Sequence, residues 1–268
     1  MTERRGPSSA RKARLDALMV ERGLAESRSL AQRLIMAGDV RVDGQVALKP
    51  GREIDRQAAI EVDSGPRFVS RGGDKLEAAF EAFGLPVEGR TCADVGASTG
   101  GFTDCLLQHG ASRVYAIDVG HGILHWKLRQ DPRVVVLEST NARYLETLPE
   151  PVDWVTMDAA FISLKLLLPV AVRWLRPGGG IVALVKPQFE AGREAVGHGG
   201  VVRDAAIHRR VLEDVVAALG PIGLVPRGLI RSPLLGPKGN VEFLIWADAG
   251  PAGDPAETLI AALFPPSG

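Results

Sequence analysis

The hydrophobic and polar positions fall into two textures. Near the start, Leu15, Leu18 and Met19 recur at helical spacing, and Gly23 stops the run. A second helix opens at Ser27, which suits an N-cap, places Leu30, Leu34 and Ile35 on one face, and closes at Gly38 and Asp39. Val40-Arg41-Val42 then alternates before Asp43-Gly44, a hairpin turn pair. Ala59, Ile60 and Val62 predict a further strand ahead of Ser64-Gly65-Pro66, a boundary signal. The expected unit is a small α+β domain over residues 13–64, preceded by a basic tail over 1–12.

From residue 90 the pattern changes to alternating strand and helix. Strands are predicted at 91–96, 113–118, 134–137, 152–157, 181–186, 224–230 and 241–246, several as near-continuous apolar runs of the kind covered on both faces. The clearest helix is 205–219, where Ile207, Val211, Val215 and Leu219 share a face and Gly220-Pro221 is the stop. Another helix is expected over 76–83, and His121, His125 and Trp126 are assigned to a helix rather than to a metal site. The order predicts an open, doubly wound α/β sheet over 72–248, joined through a linker at 65–71. The tail, 249–268, carries the capping pattern Asp254-Pro255-Ala256-Glu257.

Composition changes this picture in three places. At 268 residues and 46% hydrophobic, the chain has ample material for a core, which excludes general disorder. The 32 basic and 32 acidic side chains cancel, which taken alone argues against a nucleic-acid partner. The balance is uneven, however: residues 1–75 carry 15 basic against 11 acidic groups, net +4, and the rest is net −4. Arg4, Arg5, Arg11, Lys12 and Arg14 face only Glu3 in the first 15 residues, a cluster suited to phosphate or to a solvated tail. Cys92 and Cys105 are too few for a disulfide framework or a four-cysteine metal site and are expected as buried, reduced thiols. The first residues lack a secretory signal, and no stretch has the ~20 apolar residues of a membrane span. A cytoplasmic protein with no membrane partner, monomeric by default, is the expectation.

The segment S27-R-S-L-A-Q-R-L-I-M-A-G-D-V-R-V-D-G44, led by L15-D-A-L-M-V-E-R-G-L24, resembles the S4 RNA-binding fold. The resemblance implies docking on structured RNA, mainly by shape and backbone, through Arg11, Lys12, Arg14, Arg28, Arg33 and Arg41. Each arginine also fits the solvated face of an amphipathic helix.

The first strand of the larger region runs into D94-V-G-A-S-T-G-G101 and Phe102. Its glycines allow close backbone approach at a strand–helix turn, but the spacing matches neither a dinucleotide fingerprint nor a phosphate-binding loop. Asp118 ends the second strand, where an acid suits ribose hydroxyls; it would equally cap a helix. With Asp94 before the glycines, these residues resemble the S-adenosylmethionine pocket of Rossmann-like methyltransferases. The resemblance implies cofactor contacts from Asp94, Gly96, Ala97, Ser98, Thr99, Gly100, Gly101, Phe102, Asp118, Asn141 and Asp158.

The acceptor atom is narrowed by what is missing. Base carbon-5 methylation needs a cysteine nucleophile, and neither cysteine follows a strand suitably. Amine methylation usually shows an acid or amide, two prolines and an aromatic after the fourth strand; D158-A-A-F161 lacks both prolines. Lys75, Asp158, Lys186 and Glu242 lie at element ends that this topology brings to one crevice. A desolvated lysine held between carboxylates can stabilise or take the proton of a ribose hydroxyl. Lys, Asp, Lys, Glu in this order resembles the catalytic tetrad of FtsJ-like RNA 2′-O-methyltransferases.

As a whole, the chain resembles the TlyA family, which joins an S4 domain to an FtsJ-like domain. The segments V69-S-R-G-G-D-K-L76, D94-V-G-A-S-T-G-G-F-T-D104, K186-P-Q-F-E190, G199-G-V-V-R-D204 and G236-P-K-G-N-V-E-F-L244 carry this resemblance. It implies an S-adenosylmethionine-dependent methyltransferase of cytidine 2′-hydroxyls in ribosomal RNA, in a family that also bears a haemolysin name. Two positions depart from the family pattern: Ala160 stands where Ser is common, and His198 where Lys is common. The competing expectations are a non-catalytic RNA-binding assembly factor and a membrane-lytic protein.

Overall fold

The computed structural model describes residues 12–63, 65–197, 199–251, 253 and 255–264, with the side chain of Arg193 excepted. Arg11, Ser64, His198 and Asp254 lie outside the described residues. The chain divides into two compact units, Met1–Arg67 and Phe68–Gly268.

In the first unit, β1 (Lys12–Arg14) leads into α1 (Leu15–Glu21), followed by α2 (Arg28–Ala37). The strands β2 (Val40–Val42), β3 (Gln45–Val46), β4 (Glu53–Asp55) and β5 (Ile60–Val62) complete it. Ser27 caps α2 by accepting from Leu30 N at 3.2 Å. Asp43 and Gly44 both take positive φ, 51° and 78°, the conformation that a tight two-residue hairpin turn requires. The core gathers Leu15, Met19, Ala31, Ile35, Val40, Val42 and Ile54; Ala31 and Ile35 point inward, while Leu30 and Leu34 pack half-buried beside them. The pairing of β1 with β4 was not legible in the sequence, because only Ala13 and Ile54 provide an apolar signal. Lys12 instead sits opposite Asp55, and Arg14 opposite Glu53, so opposite charges across the pair support it.

The second unit opens with α3 (Gly72–Phe83), then β6 (Thr91–Val95), α4 (Gly101–Gln108), β7 (Arg113–Ile117), α5 (Trp126–Arg129) and β8 (Val134–Leu137). It continues with β9 (Val152–Met157), α6 (Leu164–Ala171), β10 (Leu175–Val185), α7 (Pro187–Glu190), α8 (Ala205–Ala217), β11 (Val225–Arg231), β12 (Phe243–Asp248) and α9 (Ala256–Leu263). One seven-stranded sheet results, in the order β11-β12-β10-β9-β6-β7-β8, with β12 antiparallel to both of its neighbours. One apolar layer, which includes Leu76, Phe80, Cys105 and Leu106, packs α3 and α4 on one face of the sheet. A second, which includes Leu168, Leu212, Val215 and Ile260, packs α6, α8 and α9 on the other. The doubly wound α/β sheet is therefore present.

Several boundaries differ from the sequence reading, each for a physical reason. Helix α3 starts at Gly72 rather than Leu76, so Lys75 lies in its first turn. Its glycines discourage a helix by propensity, yet packing demands one of them, since a Cβ on Gly73 would fall 2.1 Å from the Phe68 ring. β10 begins at Leu175 because strand pairing extends through a proline- and glycine-rich stretch across a register shift. β12 starts at Phe243, leaving Val241 and Glu242 in the preceding segment. Of the residues assigned to a helix after Asp118, only Trp126 is helical. His125 caps α5 by accepting from Lys127 N at 3.3 Å, and His121 precedes it.

Candidate active site

The strand order reverses between β6 and β9, each going its own way from the sheet centre. At such a switch point the loops leaving the carboxyl ends diverge and leave a crevice. A pocket of about 700 Å³ occupies that place. Its walls come from the turn after β6, the end of β7, residues 140–142, the loop over 158–162, Lys186 and residues 70–75 at the start of α3.

The glycine turn is shaped by both φ and crowding. Gly96 has φ +80°, and a Cβ there would approach the Asp158 carbonyl oxygen to 2.8 Å. Asp158 N donates to Val95 O at 2.9 Å, and Gly96 N to Ile117 O at 2.9 Å, which stitches together the ends of β6, β7 and β9. Asp118 projects into the pocket, with Oδ2 accepting from Ser98 N at 2.8 Å and Oδ1 from Gly120 N at 2.7 Å. Each oxygen keeps a further lone pair, so the carboxylate is aimed and can still receive ribose hydroxyls. Asn141 also lines the pocket and caps a short turn by accepting from Arg143 N at 3.0 Å. Ile117, Val119, Ile123 and Ala142 make the neighbouring wall apolar, as an adenine ring requires. This donor set fits S-adenosylmethionine: an aimed carboxylate for the ribose, an apolar slot for the base, and a backbone turn kept close by Gly96.

Of the cofactor contacts implied by the sequence, Gly96, Ala97, Ser98, Gly101, Phe102, Asp118, Asn141 and Asp158 line the pocket. Asp94, Thr99 and Gly100 do not. Asp94 is fully buried behind the turn, where Thr103 Oγ1 donates to it at 2.7 Å and Thr156 Oγ1 at 3.3 Å. Burial, with the nearby Asp158 charge, pushes its carboxyl up to about 7. Thr99 spends its carbonyl on His125 N, and Gly100 is the N-cap of α4.

The four tetrad residues form two ion pairs. Lys186 Nζ lies 2.6 Å from Asp158 Oδ1, both side chains partly open to the pocket. Lys75 Nζ donates to Glu242 Oε2 at 2.6 Å, deeply buried. Lys75, Asp158 and Lys186 line the pocket; Glu242 stands behind Lys75 and is packed against Gly236, where a Cβ would come within 2.5 Å of its Oε1. Glu242 thus finds its partner 167 residues away along the chain.

Phe161 carries a signal that the sequence does not show. It has φ +63°, is 91% exposed, and stands at the pocket mouth 5.1 Å from the Phe189 ring. Ser70, Arg71 and Pro237 also join the wall unforeseen. Neither cysteine reaches the pocket; Cys92 is buried, and its thiol is pushed up to about 12 by burial and by Asp153 and Asp94. Across α3 and α4, Glu77, Cys105 and His109 bring three donor atoms within 4.8 Å of one another, a cluster that spacing alone did not reveal. There His109 Nε2 lies at hydrogen-bond distance, 2.7 Å, from Glu77 Oε2, its ring stacked on Phe80 and away from the pocket.

In the first unit, Asp16 is fully buried and accepts from Arg14, Arg28 and Gln32; these partners, Arg14 first, hold its carboxyl well below the usual carboxylate range. Arg14 and Arg28 are thus oriented by one carboxylate and remain half exposed. Lys12, Arg33 and Arg41 are exposed, with Arg33 donating to Ser29 and Arg41 to the Gly44 carbonyl.

Residues 68–249 match the FtsJ-like methyltransferase family, and residues 13–60 match the S4 domain. The 16S/23S rRNA (cytidine-2′-O)-methyltransferase TlyA of Mycobacterium tuberculosis is 51% identical over 241 residues, 88% of this chain and 90% of that protein. Hemolysin A of Brachyspira hyodysenteriae is 43% identical, covering 86% of this chain and 98% of its own. A solved structure of a provisionally named hemolysin from Streptococcus thermophilus superposes with a TM-score of 0.69 at 45% identity, covering 94% of this chain and 95% of that one. Among the described residues, no helix is long and apolar enough to cross a membrane.

Proposed function

The chain belongs to the FtsJ-like methyltransferase family, in the TlyA and hemolysin A group that carries an S4 domain, and from that premise we propose that it methylates cytidine ribose 2′-hydroxyls of ribosomal RNA. The observation that carries this reading is Lys186, paired with Asp158 in the same pocket as the glycine turn and Asp118. Bound S-adenosylmethionine supplies an electrophilic methyl carbon on a sulfonium. Asp118 would hold the cofactor ribose, and Asn141 and the apolar wall its base, with Asp158 in the same pocket. Lys186 keeps one N–H on Asp158 and turns the others toward the 2′-oxygen, stabilising negative charge as the hydroxyl proton passes to the solvent that reaches this partly open pair. The transfer would be direct, with no residue of this chain carrying the methyl group in between. The buried Lys75 and Glu242 pair fixes the wall beside this centre.

Positioning of the two reactants supplies much of the acceleration. Phe161 offers an exposed face on which a base can stack. The S4 unit docks RNA by backbone and shape through Lys12, Arg14, Arg28, Arg33 and Arg41; Arg11, assigned the same role from the sequence, lies outside the described residues. The protein acts as a monomer in the cytoplasm, on ribosomal subunits or their RNA. Lys186→Ala should abolish methyl transfer while leaving S-adenosylmethionine affinity, measured by calorimetry, within about twofold. Full turnover by that variant would remove Lys186 from the chemistry.

A further inference from the structure

The K186-P-Q-F-E190 run gives Lys186 to the pocket, and its last residue reaches elsewhere. Glu190 ends α7 and turns back to the start of α6: its Oε2 accepts from Ser163 Oγ at 2.6 Å and its Oε1 from Leu164 N at 2.7 Å. Ser163, the N-cap of α6, accepts from Lys165 N at 3.2 Å. In a capping box a carboxylate three residues into the helix closes the N-terminus. Here that position is Leu166, and a carboxylate 27 residues beyond the cap takes its place. The negative charge also suits the helix N-terminus.

This clamp joins the two segments that carry the reacting pair. Lys186 immediately precedes α7, and Asp158 begins the loop that ends at Ser163. Within that loop Phe161 holds a left-handed backbone conformation, strained for a side chain of its size, while 91% exposed. Such a conformation persists only where the surroundings over-determine it, and so exposed a ring does not anchor itself by burial. Its ring contact is Phe189, next to Glu190, and Lys186 Nζ lies 6.0 Å from the Phe189 centroid.

We propose that Glu190 is a positioning residue for the methyl transfer: by tying the end of the 158–163 loop to α7, it sets Phe161 at the mouth in the form that receives the target nucleotide. The proposal rests on the methyltransferase reading above. It is tested on the full-length protein with S-adenosylmethionine and deproteinised ribosomal RNA, comparing Glu190→Ala, Glu190→Gln, Phe161→Ala and the Glu190→Ala/Phe161→Ala double variant. Glu190→Ala should lower kcat/KM for RNA by about tenfold or more with cofactor affinity within about twofold. Glu190→Gln should retain most activity, since its amide oxygen can accept from Leu164 N and its amide nitrogen can donate to Ser163 Oγ. In the Phe161→Ala background, Glu190→Ala should cost little more, because both act through one loop.

Additive losses in the double variant would overturn the proposal, as would equal losses in the Ala and Gln variants that follow a lowered melting temperature. Ser163→Ala, which removes one of the two donors, provides a milder variant of the same test if Glu190→Ala folds poorly; wild-type kinetics in it would count against the clamp. An active Lys186→Ala variant overturns the methyltransferase chemistry itself. An inactive one combined with additive Glu190 and Phe161 losses overturns the Glu190 role alone.

Discussion

Replacing Glu242 by Gln keeps the shape of the side chain and removes its charge, which leaves the Lys75 ammonium buried without its carboxylate. The side chains are 10% exposed for Lys75 and 1% for Glu242, and the Nζ–Oε2 separation is 2.6 Å. Removing one partner of a buried pair costs about 3–5 kcal/mol, because the remaining charge keeps its desolvation penalty without its compensation. Taking about 3 kcal/mol, and about 2–4 °C per kcal/mol for a unit of this size, Glu242→Gln should melt roughly 6–12 °C lower. Lys75→Met should cost a similar amount. The double variant leaves no stranded charge and should cost about as much as one single change, a coupling of about 3 kcal/mol. All four tryptophans, Trp126, Trp154, Trp174 and Trp246, lie in the second unit, so urea unfolding followed by tryptophan fluorescence reports on that unit directly. Single losses below about 1 kcal/mol that simply add would refute the reasoning, since the pair would then behave as a solvated one.

Asp94 gives a pH dependence of definite sign. Its carboxyl ionises near 3.8 when unfolded and at about 7 when folded, so between those values the folded state holds the extra proton. Stability should therefore fall as pH rises from about 4 to 7 and level off above, by up to about 4 kcal/mol; Asp94→Asn should flatten that slope in urea titrations at pH 5 and pH 8. Gly96→Ala forces a Cβ toward the Asp158 carbonyl at positive φ and should cost about 1–2 kcal/mol of stability with at least about tenfold weaker cofactor binding by calorimetry. In the S4 unit, Arg33→Ala and Arg41→Ala should weaken RNA binding across sequences and each reduce the salt slope of log K by about one. Binding titrations over a range of salt concentrations check this.

The strands of the sheet were legible because apolar residues dominate β6, β7, β8 and β9, and β6, β9 and all of β7 but Arg113 are buried; burial of that kind writes itself into composition. The pairing of β1 with β4 was not, since each strand is three residues long and turns a single apolar side chain inward. The pairing of Glu242 with Lys75 was not legible: the two are 167 residues apart, and Glu242 lies before β12 rather than inside it. Asp94 shows the reverse error. Its place in the glycine motif suggests cofactor contact, whereas its carboxylate turns inward to two threonines. The conformation of Phe161 and the hydrogen bonds of Glu190 are not legible in the sequence, because a backbone dihedral and a hydrogen bond to a distant helix start leave no periodic trace.

The activity proposed for this chain is methyl transfer to a ribose 2′-hydroxyl of ribosomal RNA. Purified protein incubated with unmodified 16S and 23S RNA or subunits and labelled S-adenosylmethionine, followed by nucleotide-resolution mapping of 2′-O-methyl groups, tests it most directly. New methylation is expected at discrete cytidine riboses, absent with Lys186→Ala. Label appearing on base atoms, or no label from a protein that binds the cofactor and the RNA, would contradict it.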